Sequence, residues 1–218
     1  MCLVVSACSQ SVGGQAAVSE SAAPDPSASA AAPTPAPSSG RSAAPAVGAP
    51  IDAVITWIEA GQPENPDSFH VAFRDGVTTQ LGARVAFVAP SGPPHSTTQC
   101  TAGGGAMSCL LELSSPPPPP AQGEGMWQPG WIEFSGTGLS VGSLRGDPGP
   151  FASGTGTELS AGRSLAFGDN RCRSDVAGLY CVDYAHRSAV RIAADGVSAY
   201  GCLAEVAPPP ESAAQYRC

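Results

Sequence analysis

The chain has 218 residues, of which only 13% are charged, and its formal net charge is −8. An acidic surface repels nucleic acid and anionic lipid headgroups, so neither is expected as a partner. The length allows one or two domains, and one remains when the Ala-, Ser- and Pro-rich residues 9–49 are set aside.

The first eight residues end in Val5-Ser6-Ala7-Cys8, which resembles a lipobox. Residues 1–8 are therefore predicted to be a truncated lipoprotein signal, with Cys8 as the lipidated residue after cleavage. A secretory signal needs a basic start and an apolar run of about 7–15 residues. Here the run extends only from Leu3 to Ala7, so the true start codon is expected to lie upstream. The alternative is a chance stretch of small residues in a cytosolic protein.

Residues 9–49 are predicted to form a disordered tether. They contain no aromatic residue, leucine or isoleucine. Such a segment buries too little apolar surface to offset the entropy of ordering it. A spacer of this kind suits a domain that is displayed away from a membrane, and residues 50–218 are predicted to be that domain.

The domain is predicted to begin with a short helix over residues 50–61. Ile51, Val54, Ile55 and Ile58 recur with helical spacing, with Trp57 beside that stripe. Pro50 suits the first turn and Gly61 suits the end. A second helical turn is predicted over residues 66–74.

The remainder has an apolar period of two, interrupted by Gly and Pro, which predicts a mainly β fold, a small barrel or a sandwich. The segment 135–138 is predicted to be a hairpin turn, and the prolines at 116–120 an exposed extended loop. The candidate strands are residues 84–89, 106–113, 130–134, 139–142, 164–167, 178–184, 189–193 and 197–202.

Six cysteines in the domain predict disulfide bonds. Cys100 and Cys109 are separated by eight residues, as are Cys172 and Cys181, which favours two similar clipped hairpins and leaves Cys202 to pair with Cys218. Sequence alone allows fifteen connectivities for six cysteines. Zinc is the competing hypothesis, but zinc knuckles place their cysteines closer together. No metal and no cofactor are predicted, and oxidised cysteines fit an extracytoplasmic compartment.

Seven segments of the domain are distinctive: residues 50–61, 74–79, 87–92, 146–151, 167–172, 180–186 and 201–202. They resemble mycobacterial lipoproteins of the LppI family and related secreted actinobacterial lipoproteins, and the likeness covers residues 50–218. The family has no established activity, so the resemblance implies a location and a fold but no catalytic residues. One departure is a longer gap before Cys100.

Histidines are the candidates for catalysis, and there are three: His70, His95 and His186. His186 lies near Ser188 and Asp175 in the sequence, so a secreted hydrolase using His186 is the alternative function. No Gly-x-Ser-x-Gly elbow is present, and a structural histidine is favoured. Asp147 and Asp169 are expected to cap backbone amides in turns.

Trp127 and Trp131 belong to the densest aromatic cluster of the chain. Such residues stack on sugars or line apolar pockets, but burial in the core is the more common role.

Taken together, the signal-like start, the tether and the cysteines predict a cell-envelope lipoprotein on the extracytoplasmic face of the membrane, held there by a lipid anchor. Its domain is predicted to be a non-catalytic binding or structural module, with a cell-wall glycan, lipid or protein as ligand. Trp127, Trp131 and His186 are the candidate ligand contacts.

Overall fold

The computed structural model describes residues 43–92 and 96–218. The predicted signal with Cys8, most of the predicted tether, and His95 lie outside the described residues. The described chain contains one α-helix, α1 (Ile51–Glu59), and sixteen strands. In chain order these are β1 (Gln62–Pro63), β2 (Val71–Arg74), β3 (Val77–Gln80), β4 (Val85–Pro90), β5 (Thr97–Gly103), β6 (Ala106–Leu111), β7 (Met126–Phe134), β8 (Gly138–Arg145), β9 (Thr157–Glu158), β10 (Arg163–Phe167), β11 (Asn170–Asp175), β12 (Gly178–Asp183), β13 (Ser188–Ala193), β14 (Gly196–Gly201), β15 (Ala204–Val206) and β16 (Ala214–Arg217).

Two large open sheets account for most of the strands, so the mainly β prediction is confirmed and the closed barrel is not formed. One sheet has six strands in the order β1-β10-β11-β12-β13-β14, and the other has eight in the order β15-β16-β8-β7-β6-β5-β4-β9. A separate hairpin pairs β2 with β3. Side chains of both large sheets, such as Phe87 and Leu179, share one hydrophobic core, as in a sandwich.

Strand β12 is buried along its whole length because both of its faces are covered. Leu179 and Cys181 point into the core between the sheets. Tyr180 and Val182 alternate with them and pack under α1. The period of two therefore sets which side chains meet the other sheet and which meet the helix.

Helix α1 forms as predicted, but its contacts differ in two respects. Val54, Trp57 and Ile58 are its buried residues, so Trp57 belongs to the packed face rather than lying beside it. The guanidinium of Arg173 lies 3.8 Å from the centre of the Trp57 ring. Gly61 does not cap the helix with a left-handed conformation; a Cβ there would lie 2.9 Å from Ser164 Cβ, so close packing against β10 requires the glycine.

Two tyrosines lie beneath the helix. The rings of Tyr180 and Tyr200 lie 6.5 Å apart between their centres. Burial raises the pKa of both hydroxyls, and it raises the pKa of Tyr200 to about 12. Both hydroxyls therefore stay protonated at ordinary pH, and both rings pack in the cluster under α1.

The second predicted helix is mostly wrong. Only Pro66–Phe69 form a helical turn, of the 3-10 type, and residues 71–74 form strand β2 instead. Asp75 and Gly76, which join β2 to β3, both have positive φ, of 50° and 79°. An Asp-Gly pair in this conformation favours a β-hairpin turn, so the residues on either side of it form β2 and β3 rather than a longer helix.

The folded domain makes contacts before Pro50, the predicted boundary. The hydroxyl of Tyr180 donates a hydrogen bond to the carbonyl oxygen of Pro45 at 3.2 Å. Ala44 and Ala49 also pack against the cluster under α1. The last residues of the predicted tether are therefore part of the domain surface, where they supply an acceptor for the Tyr180 hydroxyl.

All six domain cysteines are paired as predicted. Cys100–Cys109 joins β5 to β6, Cys172–Cys181 joins β11 to β12, and Cys202–Cys218 ties the last residue to the end of β14. Each of the first two bridges links directly opposed residues of an antiparallel hairpin. None of the helices within residues 43–92 and 96–218 has both the length and the apolar character of a membrane span.

Candidate functional site

An apolar groove of about 870 Å³ lies where the eight-stranded sheet ends at β4 and β9. Ligand sites are commonly concave, mostly apolar and of about 300–1,000 Å³. This groove is therefore the candidate binding site. Its lining comes from β4, from the start of β5, from the segment around β9 and from the turn between β11 and β12: Val88, Ala89, Pro90, Gly92, Ser96, Thr97, Thr155, Gly156, Glu158 and Val176.

The groove exists because β9 covers only part of β4. Strand β9 pairs in parallel with β4 over two residues, Phe87 opposite Thr157 and Val88 opposite Glu158. Ala89 and Pro90 continue β4 beyond that pairing. Proline has no N–H to offer a neighbouring strand, so β4 cannot extend the sheet on this side at Pro90.

The wall formed by residues 154–158 is fixed by hydrogen bonds from three other parts of the domain. Thr155 exchanges two backbone hydrogen bonds with Phe73, of 2.8 and 2.9 Å. The side-chain amide of Gln99 donates to Gly154 O at 2.7 Å, and the hydroxyl of Thr157 donates to Ser68 O at 2.7 Å. The wall is therefore preformed, and a ligand does not have to bear the cost of ordering it.

Val176 lies at the mouth of the groove, and its side chain is 62% exposed. It follows Asp175 in the tight turn between β11 and β12, where the Asp175 carboxylate accepts the Ala177 N–H at 3.0 Å. The turn therefore holds an apolar side chain in solvent beside other apolar lining residues. A bound molecule that covered Val176 would bury surface that is otherwise hydrated.

Glu158 is the single ionisable residue in the lining that the structure describes. Its carboxylate accepts a hydrogen bond from Ser160 Oγ at 2.9 Å. With a net charge of −8 on the whole chain, a carboxylate here disfavours anionic ligands. A mostly apolar lining with one carboxylate is better suited to neutral or cationic molecules than to anions.

Trp131, one of the predicted ligand contacts, is only 2% exposed. The Arg145 guanidinium lies 4.1 Å from the centre of its ring, and the Phe151 ring meets it edge-on at 5.1 Å. The indole N–H donates to Glu133 Oε1 at 3.0 Å. The ring is thus covered by the domain's own side chains, as expected for the core role.

Trp127 is half-buried and also has intramolecular partners. Its indole N–H donates to Pro117 O at 3.1 Å. A Cβ on Gly142 would lie 2.4 Å from Cη2 of this ring, so the ring lies directly over Gly142. Neither tryptophan lines the groove.

His186 is oriented by Asp183 rather than by Asp175. Its Nδ1 lies 2.8 Å from Asp183 Oδ1, and its backbone N–H donates to the same oxygen at 2.9 Å. A short acid that binds a backbone N–H three residues on is a common turn cap, so this contact has a structural explanation.

The other residues of the alternative hydrolase make no hydrogen bond to the His186 ring among the described contacts. Ser188 is fully buried, and its hydroxyl donates to Gly136 O at 2.5 Å. Asp175 ends β11 and is paired with Gly178, the first residue of β12, whereas Asp183 is the last residue of β12. The six residues of β12 separate the two positions by about 17 Å. Within the described residues, no group of three or more histidine, cysteine or acidic side chains could hold a metal ion.

The remaining polar candidates have structural partners. His70 Nδ1 lies 2.8 Å from Arg84 O. The Asp147 carboxylate accepts the Gly149 N–H at 2.7 Å, as expected for a turn cap. The described contact of Asp169 is through its backbone instead of its carboxylate: its carbonyl oxygen accepts the Tyr184 N–H at 2.9 Å.

Sequence reasoning missed the groove, although it predicted part of the strand that lines it. The lining combines residues 88–97, 155–158 and 176, which are far apart in the chain. The available signal was Pro90 at the end of an apolar strand, since proline limits pairing there.

Comparison with models of protein families, with curated proteins and with solved structures finds no match for this chain.

Proposed function

We propose that this chain is a lipid-anchored, extracytoplasmic binding protein whose domain takes a small neutral or cationic apolar molecule in the groove beside β4 and β9. The groove carries the proposal because it is large and apolar, one of its walls is fixed by hydrogen bonds, and an exposed valine lies at its mouth. The export part of the proposal is supported by the lipobox-like Val5–Cys8 and by the three disulfides, which are typical of oxidising compartments.

A binding role also fits the distribution of polar groups. Of the residues named for a hydrolase, Asp175 lies far from His186 and the Ser188 hydroxyl is bonded to Gly136 O, whereas the groove residues line one site. A small-molecule site needs few polar groups to orient its ligand, and Thr97, Thr155 and Glu158 are of that kind. The lipobox resemblance and the LppI-like segments add the expectation that the domain faces the cell envelope.

The anchor is tested by metabolic labelling with radiolabelled fatty acid, with the gene expressed from its upstream codons. We expect label in the wild-type protein and none in Cys8→Ser, because that thiol is the predicted lipid attachment site. Cys2→Ser is the matched control, since it removes the other cysteine of the segment. Equal labelling of Cys8→Ser and wild type would refute the anchor.

The groove is tested by titrating the full chain with Nile red, a neutral apolar dye whose emission rises in an apolar site. We expect saturable binding with one dye per chain. Val176→Asp should lower the affinity for Nile red about tenfold. The substitution removes about 1.4 kcal/mol of apolar contact with the dye and puts a hydrated carboxylate in its place.

Val77→Asp is the matched control for that substitution. Val77 is also 62% exposed, but it lies on the β2–β3 hairpin and does not line the groove. The Val77→Asp variant should bind Nile red with the affinity of the wild-type chain. Equal weakening by both substitutions, or binding without saturation, would contradict a site in the groove.

A further inference from the structure

The connection between β6 and β7 contains five consecutive prolines, Pro116–Pro120, which the proposed binding function does not use. Each ring fixes φ near −65°, and each proline also excludes the helical region for the residue before it. Such a run adopts the polyproline II helix, which has three residues per turn and a rise of 3.1 Å. The segment is therefore a stiff rod about 15 Å long.

One edge of this rod faces the domain and two edges face solvent. Pro117 and Pro120 are half-buried, whereas Pro116, Pro118 and Pro119 are exposed. The three-residue spacing of the half-buried pair equals the repeat of the polyproline II helix, so these two prolines lie on the same edge. The other two edges, one with Pro118 and one with Pro116 and Pro119, are free.

The rod is held on the domain surface by Trp127. The indole N–H donates to Pro117 O at 3.1 Å, and the ring itself is seated over Gly142. Gly142 has φ of 75°, and a side chain there would collide with the tryptophan. The domain therefore presents the prolines in a defined place, which lowers the entropy that a partner must remove on binding.

From these contacts, the geometry points to residues 116–120 as a preformed ligand for a second protein with an aromatic-lined groove. Polyproline II segments dock into grooves of this kind through their rings and exposed carbonyl oxygens. Two free edges are available for such a groove, while the third is occupied by Trp127.

The charge around the rod specifies the partner further. Glu112 and Glu124 flank the prolines and are exposed, and residues 112–125 contain no basic side chain. A partner whose groove has lysine or arginine at its rim therefore complements this segment. The inference is independent of the apolar groove, since neither the prolines nor Trp127 line it.

The test uses the full chain and a purified WW domain that binds uninterrupted proline runs and has arginine at the rim of its groove. Binding is measured by calorimetric titration. We expect saturable binding that disappears when the groove tryptophan of the WW domain is replaced by alanine. The double substitution Pro118→Ala and Pro119→Ala should weaken binding tenfold or more, because it alters both free edges.

Ser114→Ala with Ser115→Ala is the matched control and should change the affinity less than twofold, since it alters exposed neighbours of the rod. Trp127→Phe removes the hydrogen bond to Pro117 and should weaken binding about threefold while the chain stays folded, as judged by its melting temperature. The inference is overturned if the WW domain does not bind. It is also overturned if the double proline variant binds as tightly as the wild-type chain.

Discussion

Removing the Cys172–Cys181 bridge by replacing both cysteines with alanine is expected to lower the free energy of unfolding by about 4 kcal/mol. Closing a loop of this size accounts for about 3 kcal/mol through the entropy of the unfolded chain. The rest is packing, because both cysteines are fully buried and Cys172 Sγ lies 3.8 Å from Met107 Sδ of the other sheet. The melting temperature should fall by about 10 °C.

The Cys202–Cys218 bridge provides the matched comparison. It closes a somewhat longer loop, so its entropic contribution is also about 3 kcal/mol. Both of its cysteines are exposed, and its removal leaves the core intact. Replacing this pair by alanine should therefore cost less than replacing Cys172 and Cys181.

The measurement is chemical denaturation of full chains in which Cys2 and Cys8 are replaced by serine, so that only the domain cysteines can pair. Dithiothreitol should lower the melting temperature further than either double variant does. The bridges contribute about 3 kcal/mol each, whereas a whole domain is stable by only about 5–15 kcal/mol. A melting temperature that is unchanged by reduction would show that the bridges do not stabilise the fold.

The sequence predicts the disulfide pairing well, because the spacing of the cysteines and the period of the strands can be observed within short segments of the chain. Equal gaps place Cys100 opposite Cys109 and Cys172 opposite Cys181, and both pairs are opposed in the sheets. The apolar stripe of α1 is likewise read within one segment, and the packed helix follows from it.

Strands β5 and β11 were not predicted, although each is the first strand of a clipped hairpin. Their sequences, Thr-Thr-Gln-Cys-Thr-Ala-Gly and Asn-Arg-Cys-Arg-Ser-Asp, are polar and lack an apolar alternation. Their burial comes from partners elsewhere in the chain. For example, Arg173 of β11 lies over Trp57 of α1, a contact that no local pattern reveals.

The groove was beyond prediction for a related reason. Val88 and Glu158 come together through a two-residue parallel pairing across about seventy positions of the chain. Neither residue belongs to a motif with recognisable chemistry. A site made of apolar side chains and backbone has no signature in the sequence until the register of the sheet is known.

Gly156 makes that pairing sterically possible, and Gly156→Ala is expected to disrupt both the fold and the groove. A Cβ at Gly156 would lie 2.0 Å from the carbonyl carbon of Ala86 and 2.2 Å from the nitrogen of Phe87. These are backbone atoms of β4, so they cannot rotate away, and β9 must shift instead. The shift would strain the hydrogen bond from Leu159 N to Val88 O, which is 2.8 Å long.

We expect Gly156→Ala to cost about 3 kcal/mol of unfolding free energy, in the range of overpacked cores. The affinity for Nile red should also fall at least tenfold, because the displaced segment forms one wall of the groove. Gly146→Ala is the matched control. A Cβ at Gly146 meets no described atom within 4 Å and its φ is not in the left-handed region, so this change should leave stability equal or raise it by about 0.5 kcal/mol.

Denaturation and dye titration of the same samples separate the two consequences of the substitution. If Gly156→Ala is as stable as Gly146→Ala, β9 does not pack on β4 as described. If Gly156→Ala is destabilised but still folded at 25 °C and binds the dye with wild-type affinity, the dye does not occupy this groove. If the groove depends on the β4–β9 pairing, Gly156→Ala should lose both stability and dye affinity, and Gly146→Ala should lose neither. The reason is that Gly156 permits the close packing of β9 on β4, and the same segment forms one wall of the groove.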